Sequence, residues 1–364
     1  SYPGSHLVWV IDASRSMEQD NRLAGVKEMM SQAIYQMQSS DKISIVTFAD
    51  ETRVLATAIP ATERSRLLEI IEEIEPRGRT DGTTAIEVAY KMAERLRVPG
   101  GVNRVILVSD GDFTLDGPPS SGLLRMMRNR GQYGIFLTVL GIGTGNLKDD
   151  VLERLADWGN GVYHYLDSPR EAQRFAYNAS RLLVTVAQDV KLAVMFDPEQ
   201  VGAWRLIGYE NRALGDGEMD RRSDGAELPA GSTMTALYEI VPRALFEALT
   251  PDNEDRLEIS AGGSGGPAFA AVLTYRVPLE NQDRILMADA TDDGGSFEDA
   301  SDDFQFAACV AEFGMGLRSG DPMDLERIRQ GCNAGRRGGV ARAYFMDLLD
   351  DYREVVADQS MAPR

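Results

Sequence analysis

An aspartate and two serines at alternate positions, Asp12-Ala13-Ser14-Arg15-Ser16, stand where a short apolar run gives way to polar sequence. Their side chains offer one carboxylate and two hydroxyls, oxygen donors and nothing softer. Two further oxygen-rich clusters follow, Arg79-Thr80-Asp81-Gly82-Thr83-Thr84 and Ser109-Asp110-Gly111-Asp112. The histidines, His6 and His164, and the cysteines, Cys309 and Cys332, fall outside all three. Carboxylate and hydroxyl oxygens suit a hard divalent cation, and a hydroxyl-rich set that retains waters suits Mg2+ better than Ca2+, which takes more carboxylates and a larger shell. Mn2+ or Ca2+ can substitute, whereas Zn2+ finds no nitrogen or sulfur ligand here. Taken singly, each cluster has a plainer explanation, because Asp, Ser and Thr are favoured as helix caps and turn residues in any case.

The elements that must position these clusters are legible as an alternation. Leu7–Ile11, Ile43–Phe48, Val105–Val108 and Ile135–Leu140 are short, dense in β-branched and aromatic residues, and bounded by Asp or Gly. Near-continuous apolar runs of this length are the mark of parallel strands buried on both faces. Amphipathic stretches at 22–38, 62–75, 85–97, 121–130, 149–158 and 168–186 lie between and after them; in 62–75, Leu67, Leu68, Ile70, Ile71 and Ile74 cover one helical face. Arg53–Ile59 and Val162–Leu166 supply two more strands, the first as an antiparallel edge. The pattern predicts an α/β fold, a doubly wound, mostly parallel sheet flanked by helices, with the Asp12 and Asp110 clusters in the crevice at the carboxyl ends of the strands, where such folds bind ligands.

Beyond residue 187 the helices drop out. Val190–Phe196, Arg205–Tyr209, Met234–Val241, Arg256–Ser260 and Phe269–Val277 read as strands separated by Gly, Pro and Asp clusters, which suggests a β-sandwich-like module. From 302 the signal is helical again, over Asp302–Leu317, Asp324–Ala334 and Val340–Val356. The expected domains are therefore 1–186 (α/β), 187–290 (β-rich) and 291–364 (an acidic linker and a small helical C-terminal unit).

At this point the chain resembles the von Willebrand factor type A family, whose metal-ion-dependent adhesion site has the pattern Asp-x-Ser-x-Ser with a separate Thr and a separate Asp. Matched residue by residue, the resemblance implies a metal site of Asp12, Ser14, Ser16, Thr80 and Asp110. Thr80 is preferred over Thr83 and Thr84 for its spacing to Ala85-Ile86. It further implies that the Ser14, Ser16 and Thr80 hydroxyls touch the ion while Asp12 and Asp110 act through water. That leaves an under-neutralised cation with an open position for a partner's Glu or Asp carboxylate. The chain is also similar to a narrower group, bacterial YfbK-like type A proteins often described as lipoproteins. The segments carrying this likeness are Val105–Phe113, Leu137–Asn146, Arg205–Arg212, Thr235–Ile240 and Val310–Met315. The expectation is an Mg2+-dependent, non-enzymatic protein-binding module of the bacterial cell envelope, in which the 168–186 helix can pass a binding signal onward. The alternative is a cytoplasmic adaptor of a MoxR-type AAA+ ATPase.

Charge and motif searches exclude other classes. The net charge of −19 is concentrated in the back half, where residues 187–364 carry 33 acidic against 17 basic residues and Lys191 is the only lysine. Such a surface repels phosphate backbones, so neither nucleic acid nor an anionic membrane is an expected partner. No run approaches the roughly 18 apolar residues of a membrane span and no signal peptide is apparent, so any membrane link implied by the family is through a native lipid anchor outside this sequence. A phosphatase-type aspartyl nucleophile needs an acid two residues on, where Ser14 stands, and no Gly-x-Ser-x-Gly elbow occurs. His6 and His164 read as strand residues. In the acidic run from Asp289 to Asp303, an EF-hand loop beginning at Asp289 would place Thr291 third and Ala300 twelfth, so the bidentate acid is missing and a solvated linker ending in a helix cap is expected. Gly141-Ile-Gly143-Thr-Gly145 lacks the nucleotide-binding spacing and reads as a turn beside the metal rim. Cys309 and Cys332 are expected as buried free thiols, with a disulfide between packed helices as the alternative in an oxidising compartment.

Overall fold

A computed structural model of the chain describes residues 4–78, 82–111, 121–143, 149–159, 161–208, 226–249, 266–278, 280, 282–292, 294–320, 323–332 and 340–361. The first part is built from β1 (Ser5–Asp12), a 3-10 turn (Arg15–Asn21), α1 (Arg22–Gln36), β2 (Lys42–Phe48), β3 (Thr52–Pro60), α2 (Arg64–Glu72), α3 (Gly82–Arg95) and β4 (Val102–Ser109). It continues with α4 (Ser121–Gln132), β5 (Ile135–Ile142), α5 (Asp149–Trp158), β6 (Val162–Leu166) and α6 (Pro169–Leu182). Six strands form one sheet in the order β3-β2-β1-β4-β5-β6. All pairs are parallel except β2 with β3, where the register shifts around Ile45 and Ala58 adopts a left-handed φ of 46°.

The central strands are buried on both faces, so alternate residues feed two cores. Leu7, Trp9 and Ile11 of β1 pack with α1, α2 and α6 through Val26, Met30, Leu67, Ile71 and Phe175. Val8 and Val10 face the other way, toward Ala85, Ile86, Ala89 and Tyr90 of α3, Met127 of α4 and Leu152 of α5. Each such buried aliphatic side chain contributes on the order of 2 kcal/mol of transfer free energy. Helices on both faces of a mostly parallel sheet give the expected doubly wound α/β fold. Because β1 lies between β2 and β4, the chain reverses its winding direction at β1, and a crevice opens at the carboxyl ends of β1 and β4.

The remaining strands are β7 (Thr185–Phe196), β8 (Val201–Ile207), β9 (Ala226–Pro229), β10 (Leu237–Pro242), β11 (Phe269–Arg276) and β12 (Asp283–Ala290), with α7 (Arg243–Leu249) following β10. They form a four-stranded sheet, β12-β11-β7-β9, and a two-stranded antiparallel sheet, β10-β8. The expectation of a helix-free β region is corrected by α7. Two strands, β9 and β12, go beyond the expected set, and Arg256–Ser260 lies outside the described residues. The chain divides into two compact units, one of 1–193 with 219–233 and 272–286, the other of 194–218, 234–271 and 287–364.

The C-terminal helices are α8 (Asp302–Ser319), α9 (Leu325–Cys332) and α10 (Val340–Met361), with a small core of Phe313, Ile328, Met346 and Leu349. The Ser301 hydroxyl accepts a hydrogen bond from Phe304 N at 3.2 Å and caps α8, with Asp302 and Asp303 in its first turn, where carboxylates favour the positive end of the helix dipole. The free-thiol expectation is overturned. Cys309 of α8 and Cys332 of α9 are joined as a disulfide, because packing the two helices places their Cα atoms 5.7 Å apart, within the reach of a bridge.

Candidate metal centre

β1 ends on Asp12, and the chain then turns through Ala13 and Ser14 into the 3-10 turn. Backbone hydrogen bonds fasten this loop from both sides: Ala13 N donates to Phe48 O at 2.9 Å, Arg77 N to Ala13 O at 2.7 Å, and Arg15 N reaches Gly78 O at 3.5 Å. Asp12 is fully buried, and both of its oxygens are engaged. Oδ1 accepts from Ser14 N at 2.9 Å, and Oδ2 accepts from the Ser109 hydroxyl, at the end of β4, at 2.7 Å. The carboxylate thus ties the loop to the neighbouring strand, while the Ser14 and Ser16 hydroxyls lie 2.9 Å from each other. Burial pushes the Asp12 carboxyl up to about 6; hydrogen bonds from Ser14 and Ser109 oppose the shift and the nearby Asp110 adds to it.

Asp110 follows β4 and is itself buried, with a side chain 2% exposed. Its position depends on a tight turn in which Gly111 has a φ of 78° and donates its N–H to Ser109 Oγ at 3.0 Å. Opposite Asp110 stands a residue that sequence reasoning missed. Arg22 Nη1 donates to Asp110 Oδ2 at 2.9 Å and reaches the Ser16 carbonyl at 3.5 Å, linking the two loops. Arg22 is the first residue of α1, and it arrives there because Gln19 is extended and Asp20 and Asn21 take left-handed φ values of 50° and 55°. Asp and Asn are the non-glycine types that tolerate this region best.

Of the five residues expected to hold a metal, the structure brings Asp12, Ser14, Ser16 and Asp110 to one rim at the switch point of the sheet. Thr80 lies outside the described residues, as does Asp112. Thr83 and Thr84 sit in the first turn of α3. Among the described residues no group of three or more His, Cys, Asp and Glu is gathered that could hold a metal ion. The donor set here is instead two carboxylates with hydroxyls, which fits a small hard cation that keeps several waters better than a carboxylate cage does. The histidines serve structure: His6 Nε2 lies 2.9 Å from the Ser44 hydroxyl, and His164 packs on Phe175 with ring centroids 5.3 Å apart. Burial holds both near 4, with Lys42 contributing at His6 and Arg104 and Arg174 at His164.

Comparison with known proteins places this geometry. Residues 7–112 match the von Willebrand factor type A domain, and residues 181–355 match the family described as "Uncharacterized protein YfbK, C-terminal". The uncharacterized protein YfbK of Escherichia coli (strain K12) is 29% identical over 360 residues, 96% of this chain, which spans 61% of that relative's length. Inter-alpha-trypsin inhibitor heavy chain H2 of Mus musculus is 26% identical over 195 residues, 50% of this chain and 20% of its own. The solved structure of a von Willebrand factor type A protein from Catenulispora acidiphila superposes with a TM-score of 0.51 at 16% identity, over 97% of this chain and 81% of that one. That last likeness is one of fold.

Proposed function

Because the chain joins a von Willebrand factor type A domain, a family that commonly mediates metal-dependent protein interactions, to a YfbK-type C-terminal domain, we propose that it is an Mg2+-dependent protein-binding module that captures a Glu or Asp carboxylate of a partner. The observation that carries this reading is the meeting, at the ends of adjacent strands, of buried Asp12 and Asp110 with the paired hydroxyls of Ser14 and Ser16. Asp12, Ser14, Ser16, Thr80 and Asp110 would hold the ion, with Mn2+ or Ca2+ as substitutes. When bound, the cation supplies a Lewis-acidic position for one more oxygen donor.

The chain's own residues do the rest. Ser109 and the Ser14 amide fix the Asp12 carboxylate, so Asp12 orients the loop and leaves the Ser14 and Ser16 oxygens as the short-range donors. The module is non-catalytic in this reading: position 14 holds no second acid, and both histidines are buried away from their charged forms. The Cys309–Cys332 bond favours an oxidising compartment and supports placement in the cell envelope.

Calorimetric titration of chelator-stripped protein with Mg2+ and Mn2+ tests the metal claim. Wild type is expected to bind saturably, and the double variant Ser14→Ala with Ser16→Ala to bind at least about tenfold more weakly, the scale on which ligand-sphere changes act. Equal binding by the two proteins overturns the reading. The interaction claim then predicts a partner, retained from native extract by the loaded protein, that is released by chelator from wild type and is not retained by the double variant.

A further inference from the structure

Arg22 is not used by the cation reading, yet it occupies the same rim. Its side chain is 14% exposed, and its closest charge partner is Asp110, at 2.9 Å from Nη1. Nη2 lies 3.6 Å from Asp20, whose side chain is 75% exposed. Nε is buried and has no hydrogen-bond partner among the described residues. The guanidinium is pressed from one side by the backbone of Gly143, where a Cβ would stand 2.9 Å from Nε and 3.2 Å from the guanidinium carbon. The arginine is therefore held in place with its hydrogen-bonding capacity only partly used.

We propose that Arg22 is a resident counter-cation of the metal centre: its guanidinium neutralises Asp110 when no divalent ion is bound, and a divalent ion must draw Asp110 away from it in order to bind. The inference rests on the metal reading above and deepens it. Asp110 is too buried to stand ionised without compensation, so some positive charge must face it in every state of the site. The residue supplying that charge before metal arrives necessarily competes with the metal for the same oxygen. Two further features favour exchange over permanent pairing. Arginine keeps its charge throughout the working pH range, so release of Asp110 does not wait on deprotonation. Its unpaired Nε and its weak contact with exposed Asp20 mean that few other hydrogen bonds are lost when the guanidinium swings aside. The consequence is a raised threshold: the site fills only where the divalent ion is abundant enough to win the carboxylate.

The test compares Mg2+ affinity of chelator-stripped wild type, Arg22→Gln and Arg22→Lys by calorimetry, with thermal unfolding to verify folding. Removal of the charge at Arg22→Gln is expected to tighten Mg2+ binding by on the order of tenfold or more, as loss of a like charge a few ångströms from the ion dictates. Arg22→Lys, which keeps the charge, is expected to stay within about threefold of wild type, since the long-range part of that repulsion is retained. A second measurement uses wild type alone: the Arg22 Nε–H resonance, identified by its absence from Arg22→Lys, is expected to shift on adding Mg2+ and to broaden on adding Mn2+. Wild type that binds Mg2+ no more weakly than Arg22→Gln overturns this inference and leaves the metal reading standing. If neither protein binds, both fall. Should Arg22→Gln fail to fold, an Nε–H resonance unmoved at saturating Mg2+ overturns the inference by itself.

Discussion

Two arginine–carboxylate pairs lie in the α/β unit, and they are finished to different degrees. Toward the start of β4, Arg104 is fully buried against Glu227 of β9, whose side chain is 1% exposed. Every N–H of Arg104 has a partner. Nε donates to Leu183 O at 3.1 Å; Nη1 donates to Thr138 Oγ1 at 2.7 Å and Glu227 Oε2 at 3.3 Å; Nη2 donates to Thr185 Oγ1 at 2.7 Å and to Glu227 Oε1. The Thr185 hydroxyl in turn donates to Glu227, and β9 lies antiparallel to β7 beside it. At the far end of the same strand, Arg22 meets Asp110 with Nε left over and part of its surface open to water. A saturated pair fixes a strand to a sheet and has nothing to exchange. An unsaturated one holds charge in readiness, and that difference separates scaffold from site.

The largest effect that would test this contrast is at the saturated end. Glu227→Ala strands a fully buried guanidinium and is expected to cost about 3–5 kcal/mol in denaturant unfolding, whereas Arg104→Met combined with Glu227→Leu is expected to recover most of that loss. A Glu227→Ala protein as stable as wild type would erase the distinction. At the crevice, the incomplete compensation should appear as pH dependence. The folded-state value of Asp12, about 6, lies above its ordinary 3.8, so the native protein binds this proton more tightly than the unfolded chain does. Stability from this group is therefore complete below about pH 4 and is lost as pH rises through 6, by about 3 kcal/mol in chelator. Asp12→Asn should flatten that slope in unfolding curves taken from pH 4 to 7, and saturating Mg2+ should offset it in wild type.

A smaller effect is expected at Gly143, whose φ of 124° and close approach to Arg22 both oppose a side chain. Gly143→Ala should destabilise by about 1–3 kcal/mol through backbone strain and crowding together. In combination with Arg22→Ala the crowding disappears and only the strain remains, so the cost of Gly143→Ala should shrink; strict additivity in a double-mutant cycle would show that the contact does not matter.

The strands of the large sheet were legible because burial on both faces forces an unbroken apolar run, as in Leu7–Ile11 and Val105–Val108. The Asp12, Ser14 and Ser16 loop was legible because its three residues are local and follow such a run. Arg22 was not, since an arginine opening an amphipathic helix looks like any solvated one, and its partner lies 88 positions away. Arg104 carried a usable signal: a charge abutting the apolar run of β4 demands a buried counter-charge, although nothing in the sequence pointed to Glu227. Strand β9 is four residues long, too short for a period to register. In β12, Asp283–Ala290, charges at both ends hide the apolar centre Ile285-Leu286-Met287.

The outermost strand of the large sheet has a bearing on how these molecules behave in a crowded solution. β3 runs against its neighbours' direction, shifts register twice beside Ile45, and bends through a left-handed Ala58. A foreign strand seeking to lengthen the sheet would find amides and carbonyls out of step with its own, while the opposite flank, β6, offers only five residues. Stray polymerisation along the hydrogen-bonding direction is thereby discouraged, even in a protein whose task is to stick to others.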